Sequence, residues 1–266
     1  MFYKKYKRKD KISICNICLK KKSLTWDHVP PKGGINLSRI KQENILQKIT
    51  NLKNTPQYSY SQNGVKYRTI CKKCNEDLGH YYDNELNNFS ISIRRIFETQ
   101  IILPSTMQFK VKPNKIIKSV CGHFLAAKLD IENSKIDESL RSKYFNNENS
   151  PLDLKLFYWL YPYKEFTVMR DVFMPSIRGR FKNVNSFSIL KYYPIAFLLT
   201  ELKEYSNLDE LTKYKSDNID EEVSIPIDLK KIKSPSWPER VDGNNFLLGG
   251  LSLLSSIHAI PDNKKK

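Results

Sequence analysis

Short apolar segments alternate with polar, turn-forming segments through the first part of the chain. They predict strands over Leu24–His28 and Val65–Ile70, and Pro30 and Pro31 must end the first because proline cannot donate to a strand ladder. The spacing of later apolar residues predicts a helix that begins near Asn75. Its apolar face consists of Leu78, Tyr82, Leu86 and Phe89. The predicted local order is therefore strand, loop, strand, helix.

The rest of the chain shows a different pattern. Residues 36–62 are polar with turn-forming breaks, and they predict an insertion with one helix. Residues 104–113 are bounded by prolines and predict a linker. Ile116–Leu129 predicts a further helix. From Leu152 onward, segments rich in aromatic and β-branched residues predict an antiparallel sheet.

The charge of the chain changes this picture by pointing to a polyanionic partner. The 266 residues include 45 Lys and Arg against 28 Asp and Glu, a formal net charge of +17. Nucleic acid is therefore the expected partner, although Lys-rich usage can also reflect an AT-rich genome. Between Lys4 and Lys22, nine basic residues stand against Asp10 alone. The basic arm expected to contact phosphates comprises Lys4, Lys5, Lys7, Arg8 and Lys9.

The cysteines occur in a metal-binding pattern. No apolar run approaches the roughly 20 residues of a membrane span, so we expect a cytoplasmic protein without a membrane partner, whose thiols stay reduced. Two Cys-x-x-Cys pairs are present, Cys15 with Cys18 and Cys71 with Cys74. Four thiolates close a tetrahedral zinc site without an open coordination position, so this zinc is expected to be structural. Cys121 stands alone and is expected to be an ordinary buried residue.

Three polar residues beside these pairs carry candidate chemistry. Asp27 and His28 lie between the two pairs, and Asn75 follows the last cysteine. Hydrolysis of a phosphodiester needs an activated water and a cation at the scissile phosphate. A neutral imidazole can take a proton from water at neutral pH, and Asp and Asn oxygens suit a Mg²⁺-like ion. Zinc closure is expected to bring these residues together.

The series Cys-x-x-Cys, Asp-His-Val-Pro-Pro-Lys-Gly and Cys-x-x-Cys-Asn resembles the zinc-containing HNH endonucleases of the His-Me finger group. The resemblance covers about residues 12–90. It implies a ββα-metal fold in which His28 is the general base and Asp27 and Asn75 bind a catalytic Mg²⁺ or Mn²⁺. It also implies a middle asparagine that orients the histidine. The best match is Asn63, and the competing positions are Asn44, Asn51 and Asn54.

The sequence therefore predicts an α+β protein with two domains. Residues 1–90 would form a zinc-stabilised HNH nuclease domain with a basic arm. Residues 91–266 would form a separate α+β domain with antiparallel strands that selects substrate, forms a homodimer or binds a regulatory protein. The predicted function is hydrolysis of DNA, with RNA left open, in bacterial defence or restriction by fold-level analogy. The alternative is a non-catalytic zinc-ribbon protein that binds nucleic acid.

Other residues receive smaller roles. Arg68, Lys72 and Lys73 flank the second cysteine pair and are expected to contact the nucleic-acid backbone. His80 is expected to have a minor role. The remaining histidines, His123 and His258, lack carboxylate or cysteine neighbours in sequence and are expected to be structural.

Overall fold

The computed structural model describes residues 10–35, 39–50, 58–99, 104–130, 133–142, 145, 150–175, 186–241 and 245–262. It has a mixed α+β fold in which every paired strand is antiparallel to its neighbour. The strands are β1 (Ile12–Ile14), β2 (Lys21–His28), β3 (Ile40–Asn44), β4 (Ser59–Ser61), β5 (Lys66–Cys71), β6 (Thr106–Val111), β7 (Lys155–Leu160), β8 (Phe166–Phe173), β9 (Ser186–Tyr192), β10 (Ile195–Thr200), β11 (Asp209–Glu210), β12 (Val223–Asp228), β13 (Leu248–Gly249) and β14 (Ile257–Pro261). The α-helices are α1 (Ile45–Thr50), α2 (Lys72–Leu78), α3 (Asn84–Phe97), α4 (Pro113–Ala126) and α5 (Lys135–Arg141).

A small sheet of β1, β2 and β5 forms the N-terminal part of the described chain. β5 leads directly into α2, and a π-helical segment at Gly79–Asp83 joins α2 to α3. The helix predicted from Asn75 therefore begins earlier, at Lys72, because the extended backbone of Cys71 ends the strand and starts the helical turn. The predicted apolar face is largely buried, with Leu78, Leu86 and Phe89 at most 2% exposed.

A second sheet of nine strands forms the largest layer. Its order is β11-β7-β10-β9-β8-β14-β3-β4, and β13 pairs with β8. Every residue of β9 and β10 is buried. β10 is accordingly apolar along almost its whole length, whereas β9 also buries the polar residues Ser186, Ser188 and Lys191. The antiparallel sheet predicted from Leu152 onward is confirmed. The predicted insertion at residues 36–62 also supplies β3 and β4, and β3 pairs with β14 near the end of the chain.

One hydrophobic core includes residues from both sides of residue 90. α4 is buried along almost its whole length and contacts α2, α3 and β5, as expected for a helix that is apolar on most sides. Residues 104–113, predicted to be a linker, contain β6, which pairs with β12. Among the described residues, no helix is both long and apolar enough to cross a bilayer.

Gly122 on α4 tests this packing. A Cβ atom there would overlap both methyl groups of Leu78, a side chain that is itself 1% exposed. We expect Gly122→Ala to lower the free energy of unfolding by about 1–3 kcal/mol. The matched control is Gly79→Ala, where a Cβ meets no atom within 4 Å and the backbone is already helical, with φ −61°. Urea denaturation should show unchanged or slightly higher stability for the control, and equal stability of both variants would contradict the packing described.

Candidate active site and metal centre

Four thiols from two turns that are distant in sequence converge at one end of the small sheet. Cys15 and Cys18 lie on the turn after β1, Cys71 ends β5, and Cys74 lies in the first turn of α2. Their Sγ atoms all lie within 4.8 Å of one another, and those of Cys18 and Cys71 are 3.9 Å apart. Zinc with Zn–S bonds of about 2.3 Å places tetrahedral sulfurs about 3.8 Å apart. The cluster is therefore compatible with structural zinc.

The backbone around the cluster supports thiolate ligands. Leu19 adopts a left-handed conformation with φ 57°, and its N–H donates to the carbonyl of Cys15 at 2.9 Å, which closes the first turn. The N–H of Cys71 donates to Sγ of Cys15 at 3.3 Å. A hydrogen bond from Cys74, aided by backbone N–H groups, outweighs burial and lowers the pKa of Cys15 to about 4. The same hydrogen bond raises the pKa of Cys74, and burial raises the pKa of Cys18, so without a metal one thiolate is shared among the protonated thiols around it. Thiolate is the form that binds metal.

Asn75 joins α2 to β2. Its Nδ2 donates to Oγ1 of Thr25 at 3.1 Å and to the carbonyl of Trp26 at 3.0 Å. Both amide protons are thereby used, so Oδ1 is left as the oxygen that can hold a cation. Asn75 thus contacts the residue immediately before Asp27 and His28. Its role as a metal ligand stays a prediction.

His28 ends β2 beside a cleft of about 410 Å³. The cleft is lined by Trp26, His28, Gln42, Tyr60, Ser61, Gln62, Lys66, Tyr67, Arg68, Leu129 and Ile257. Nε2 of His28 is buried and has no hydrogen-bond partner among the described residues. Burial lowers the pKa of His28, and the charges of Lys66 and Lys32 lower it further. The ring is therefore suited to be neutral at pH 7 and to accept a proton.

Asp27 contacts a buried histidine rather than the cleft. Its Oδ2 accepts a hydrogen bond from Nδ1 of His123 at 3.0 Å, and Nε2 of His123 donates to Oδ1 of Asp83 at 3.0 Å. Burial lowers the pKa of His123, but the two carboxylates outweigh it and raise the pKa to about 10. The ring is thus a cation that donates at both nitrogens. Oδ1 of Asp27 takes no part in this contact, and the role of Asp27 as a metal ligand stays a prediction.

The candidates for the middle asparagine have different surroundings. Asn63 is exposed in the turn between β4 and β5, with φ 62°, and Gly64 follows with φ 86°. Such left-handed pairs are typical of Asn-Gly turns, which explains the residue types here. Asn44 donates to the carbonyl of Leu254 at 2.7 Å and accepts from the N–H of Leu46 at 2.9 Å. The remaining competitors, Asn51 and Asn54, lie outside the described residues. The role of Asn63 stays a prediction.

The predicted nucleic-acid contacts fall into three groups. Arg68 lines the cleft, and its guanidinium lies 5.4 Å from the ring centre of Trp26. Lys72 and Lys73 lie on the exposed side of α2 and pair with Glu76 and Asp77 at 3.6 and 2.8 Å. Exposed pairs of this kind are weak, so both lysines remain able to contact phosphate. The basic arm residues Lys4, Lys5, Lys7, Arg8 and Lys9 lie outside the described residues.

Several residues of this region were not identified from sequence. Gln42 and Tyr60 come from β3 and β4 of the large sheet, whereas Trp26, His28 and Arg68 come from β2 and β5 of the small sheet, so the cleft forms between strands of different sheets. His123 lies 96 residues from Asp27 and 40 from Asp83, so no local pattern reveals the bridge. Of these residues, Trp26 was the easiest to identify from the sequence, since it is a large aromatic residue directly before Asp27.

Comparisons with protein-family models, with curated proteins and with solved structures each found no match. Function is therefore inferred from the chemistry and geometry of the site.

Cys15→Ser tests the metal centre. Cys15 is fully buried, and removal of one of four thiolates should reduce bound zinc from about one per chain to a small fraction. Because metal binding and folding of such a site are coupled, the melting temperature should fall as well. Elemental analysis of desalted protein measures the zinc, and Cys121→Ala is the control that should keep it. Full zinc content in Cys15→Ser would show that these thiols do not form the site.

His123→Leu tests the buried bridge. The change leaves Asp27 and Asp83 without their shared cation, and breaking a buried ion pair typically costs about 3–5 kcal/mol of stability. Ser119→Ala is the milder comparison, because it removes only the hydroxyl that donates to Asp83 at 2.6 Å, at a cost of about 1 kcal/mol. Urea denaturation distinguishes the two. Equal losses in both variants would argue against an imidazolium at this position.

Proposed function

We propose that this protein is a metal-dependent endonuclease of the HNH type that hydrolyses phosphodiester bonds in DNA. The observation that carries the proposal is His28, whose Nε2 is buried beside a cleft lined by Lys66 and Arg68 and has no hydrogen-bond partner among the described residues. A lowered pKa keeps this nitrogen available to accept a proton. His28 would therefore take a proton from the attacking water.

Oδ1 of Asp27 and Oδ1 of Asn75 would hold the catalytic divalent cation. Oδ1 of Asn75 and Oδ1 of Asp27 belong to side chains whose other polar atoms are already used, by Thr25 and Trp26 in one case and by His123 in the other. Two such oxygens suit Mg²⁺ or Mn²⁺, which keeps most of its waters. When bound, the ion supplies positive charge at the scissile phosphate and the leaving oxygen.

The cationic side chains would position the substrate. Lys66 and Arg68 lie in the cleft with His28, so both can bind phosphates that flank the scissile bond. The basic arm, Lys72 and Lys73 would add contacts along the backbone. These contacts carry no base specificity, so the affinity should depend strongly on salt concentration. Cleavage of foreign DNA in bacterial defence or restriction is the setting we propose, by fold-level analogy.

A second candidate function is non-catalytic binding of nucleic acid by a zinc ribbon. The observation that favours it is the burial of Asp27, which is 5% exposed and contacts His123. A zinc ribbon of this kind gives His28 no role. Binding without cleavage on every polymer tested would support it.

His28→Ala distinguishes the two functions. Supercoiled plasmid and single-stranded DNA are incubated with the full chain in Mg²⁺, in Mn²⁺ and in chelator. Loss of a general base should reduce the cleavage rate by about 10²- to 10⁴-fold, while zinc content and melting temperature stay unchanged. The control is His80→Ala, because His80 is exposed on the segment after α2 and has no part in the proposed chemistry. Wild-type cleavage by His28→Ala, or cleavage in chelator by protein that keeps its zinc, would contradict the proposal.

A further inference from the structure

Two exposed aromatic rings belong to the cleft beside His28. Trp26 on β2 is 42% exposed, and Tyr60 on β4 is 51% exposed. Each ring has a guanidinium on one face, Arg68 at 5.4 Å from the centre of Trp26 and Arg39 at 4.5 Å from the centre of Tyr60. The rings remain about half exposed despite this cover. Exposed apolar surface that is gathered in one groove and bordered by polar residues marks a binding site.

The interior of the cleft combines apolar surface with buried polar atoms. Leu129 and Ile257 contribute apolar surface, and Tyr67 is buried with its hydroxyl bonded to the carbonyl of Ser255. Oε1 of Gln42 is buried here without a hydrogen-bond partner among the described residues, as is Nε2 of His28. Such atoms cost free energy unless a bound molecule satisfies them.

The basic residues in and beside the cleft indicate that its ligand is an anion. Lys66 and Arg68 lie in the cleft, Arg39 lies beside it, and the whole chain carries a net charge of +17. An anion with flat, partly apolar groups fits this combination. In a duplex, base faces are stacked on one another and cannot reach aromatic side chains in a concave site. Unpaired bases can stack there, and sequence-tolerant stacking on aromatic rings in a basic groove is how single strands are bound.

We propose that the cleft binds unpaired nucleotides, with bases stacked on Trp26 and Tyr60 and the backbone held by Lys66 and Arg68. The preferred substrate is thus a single-stranded segment of nucleic acid. The inference rests on the proposed function, because it names the form of substrate at the same site. Gln42 contacts the edge of a stacked base through its amide.

Binding is tested in the His28→Ala background, so that the probe stays intact. The probes are a fluorescein-labelled oligonucleotide of about 12 nucleotides as single-stranded DNA, as single-stranded RNA and as duplex DNA. Fluorescence anisotropy should show tighter binding of the single strands, by roughly tenfold or more. Adding Trp26→Ala or Tyr60→Ala should weaken single-strand binding by roughly 5- to 150-fold, and duplex binding by less than about twofold.

Three further variants separate stacking from other effects. Trp26→Phe keeps an aromatic ring and should restore most of the affinity. Arg68→Ala should weaken single strands and duplex alike and reduce the salt dependence by about one charge. Tyr81→Ala is the matched control, because Tyr81 is 55% exposed but lies outside the cleft lining. It should leave every affinity unchanged.

The results distinguish this inference from the nuclease itself. Equal or tighter binding of duplex, an equal effect of Trp26→Ala on all probes, or no binding of any nucleic acid would overturn the stacking proposal. Metal-dependent cleavage that does not change in Trp26→Ala would support the nuclease and overturn the stacking. Tight single-strand binding that depends on Trp26, without cleavage in the protein that keeps His28, would support the stacking and overturn the nuclease.

Discussion

The convergence of four thiols is the constraint on which the candidate site depends. β1 has three residues, and Ile12 and Ile14 are 62% and 37% exposed, so apolar packing contributes little to holding this strand in place. The cysteine cluster ties the turn after β1 to the junction of β5 and α2. The same turn is fixed to α4, because Nδ2 of Asn16 donates to the carbonyls of Leu125 and Lys128 at 2.8 and 2.7 Å. Leu125 lies in the last turn of α4, where carbonyls have no partner within the helix.

What could be predicted from the sequence was local. The two cysteine pairs, the strands β2 and β5, α4 and the antiparallel sheet of the second half follow from spacing and apolar pattern over a few residues. The pairing of β3 with β14 does not, because its register joins residues such as Ile40 and Pro261 that are far apart in sequence. The segment around β3 was therefore predicted as an insertion with one helix. The cleft shares this difficulty, since three of its eleven lining residues, Gln42, Tyr60 and Ser61, come from β3 and β4.

The site residues also divide into those whose contacts follow from local spacing and those whose contacts depend on distant parts of the chain. The spacing of the cysteines predicted that Asn75 would lie near Asp27 and His28, and in the structure its side chain contacts the preceding residues Thr25 and Trp26. The partner of Asp27 could not be predicted, because His123 is on a helix about which the sequence says only that it is mostly apolar. Asp83 belongs to the π-helical segment between α2 and α3, a rare geometry that no local pattern identified.

β2 separates two kinds of chemistry. Trp26 and His28 line the cleft, whereas Asp27 contacts His123 and through it Asp83, as the alternation of side chains along a strand allows. A shift in register between Thr25 and Asp27 interrupts the pairing of β2 with β5 at this point, and bulges of this kind re-aim side chains beside functional sites. The buried imidazolium therefore fixes the end of β2 from behind while the cleft side stays open. Tyr60 comes from β4 of the large sheet and His28 from β2 of the small sheet, so the cleft exists only when the two sheets are held together. The buried contacts that stabilise the fold therefore also determine what the site can bind.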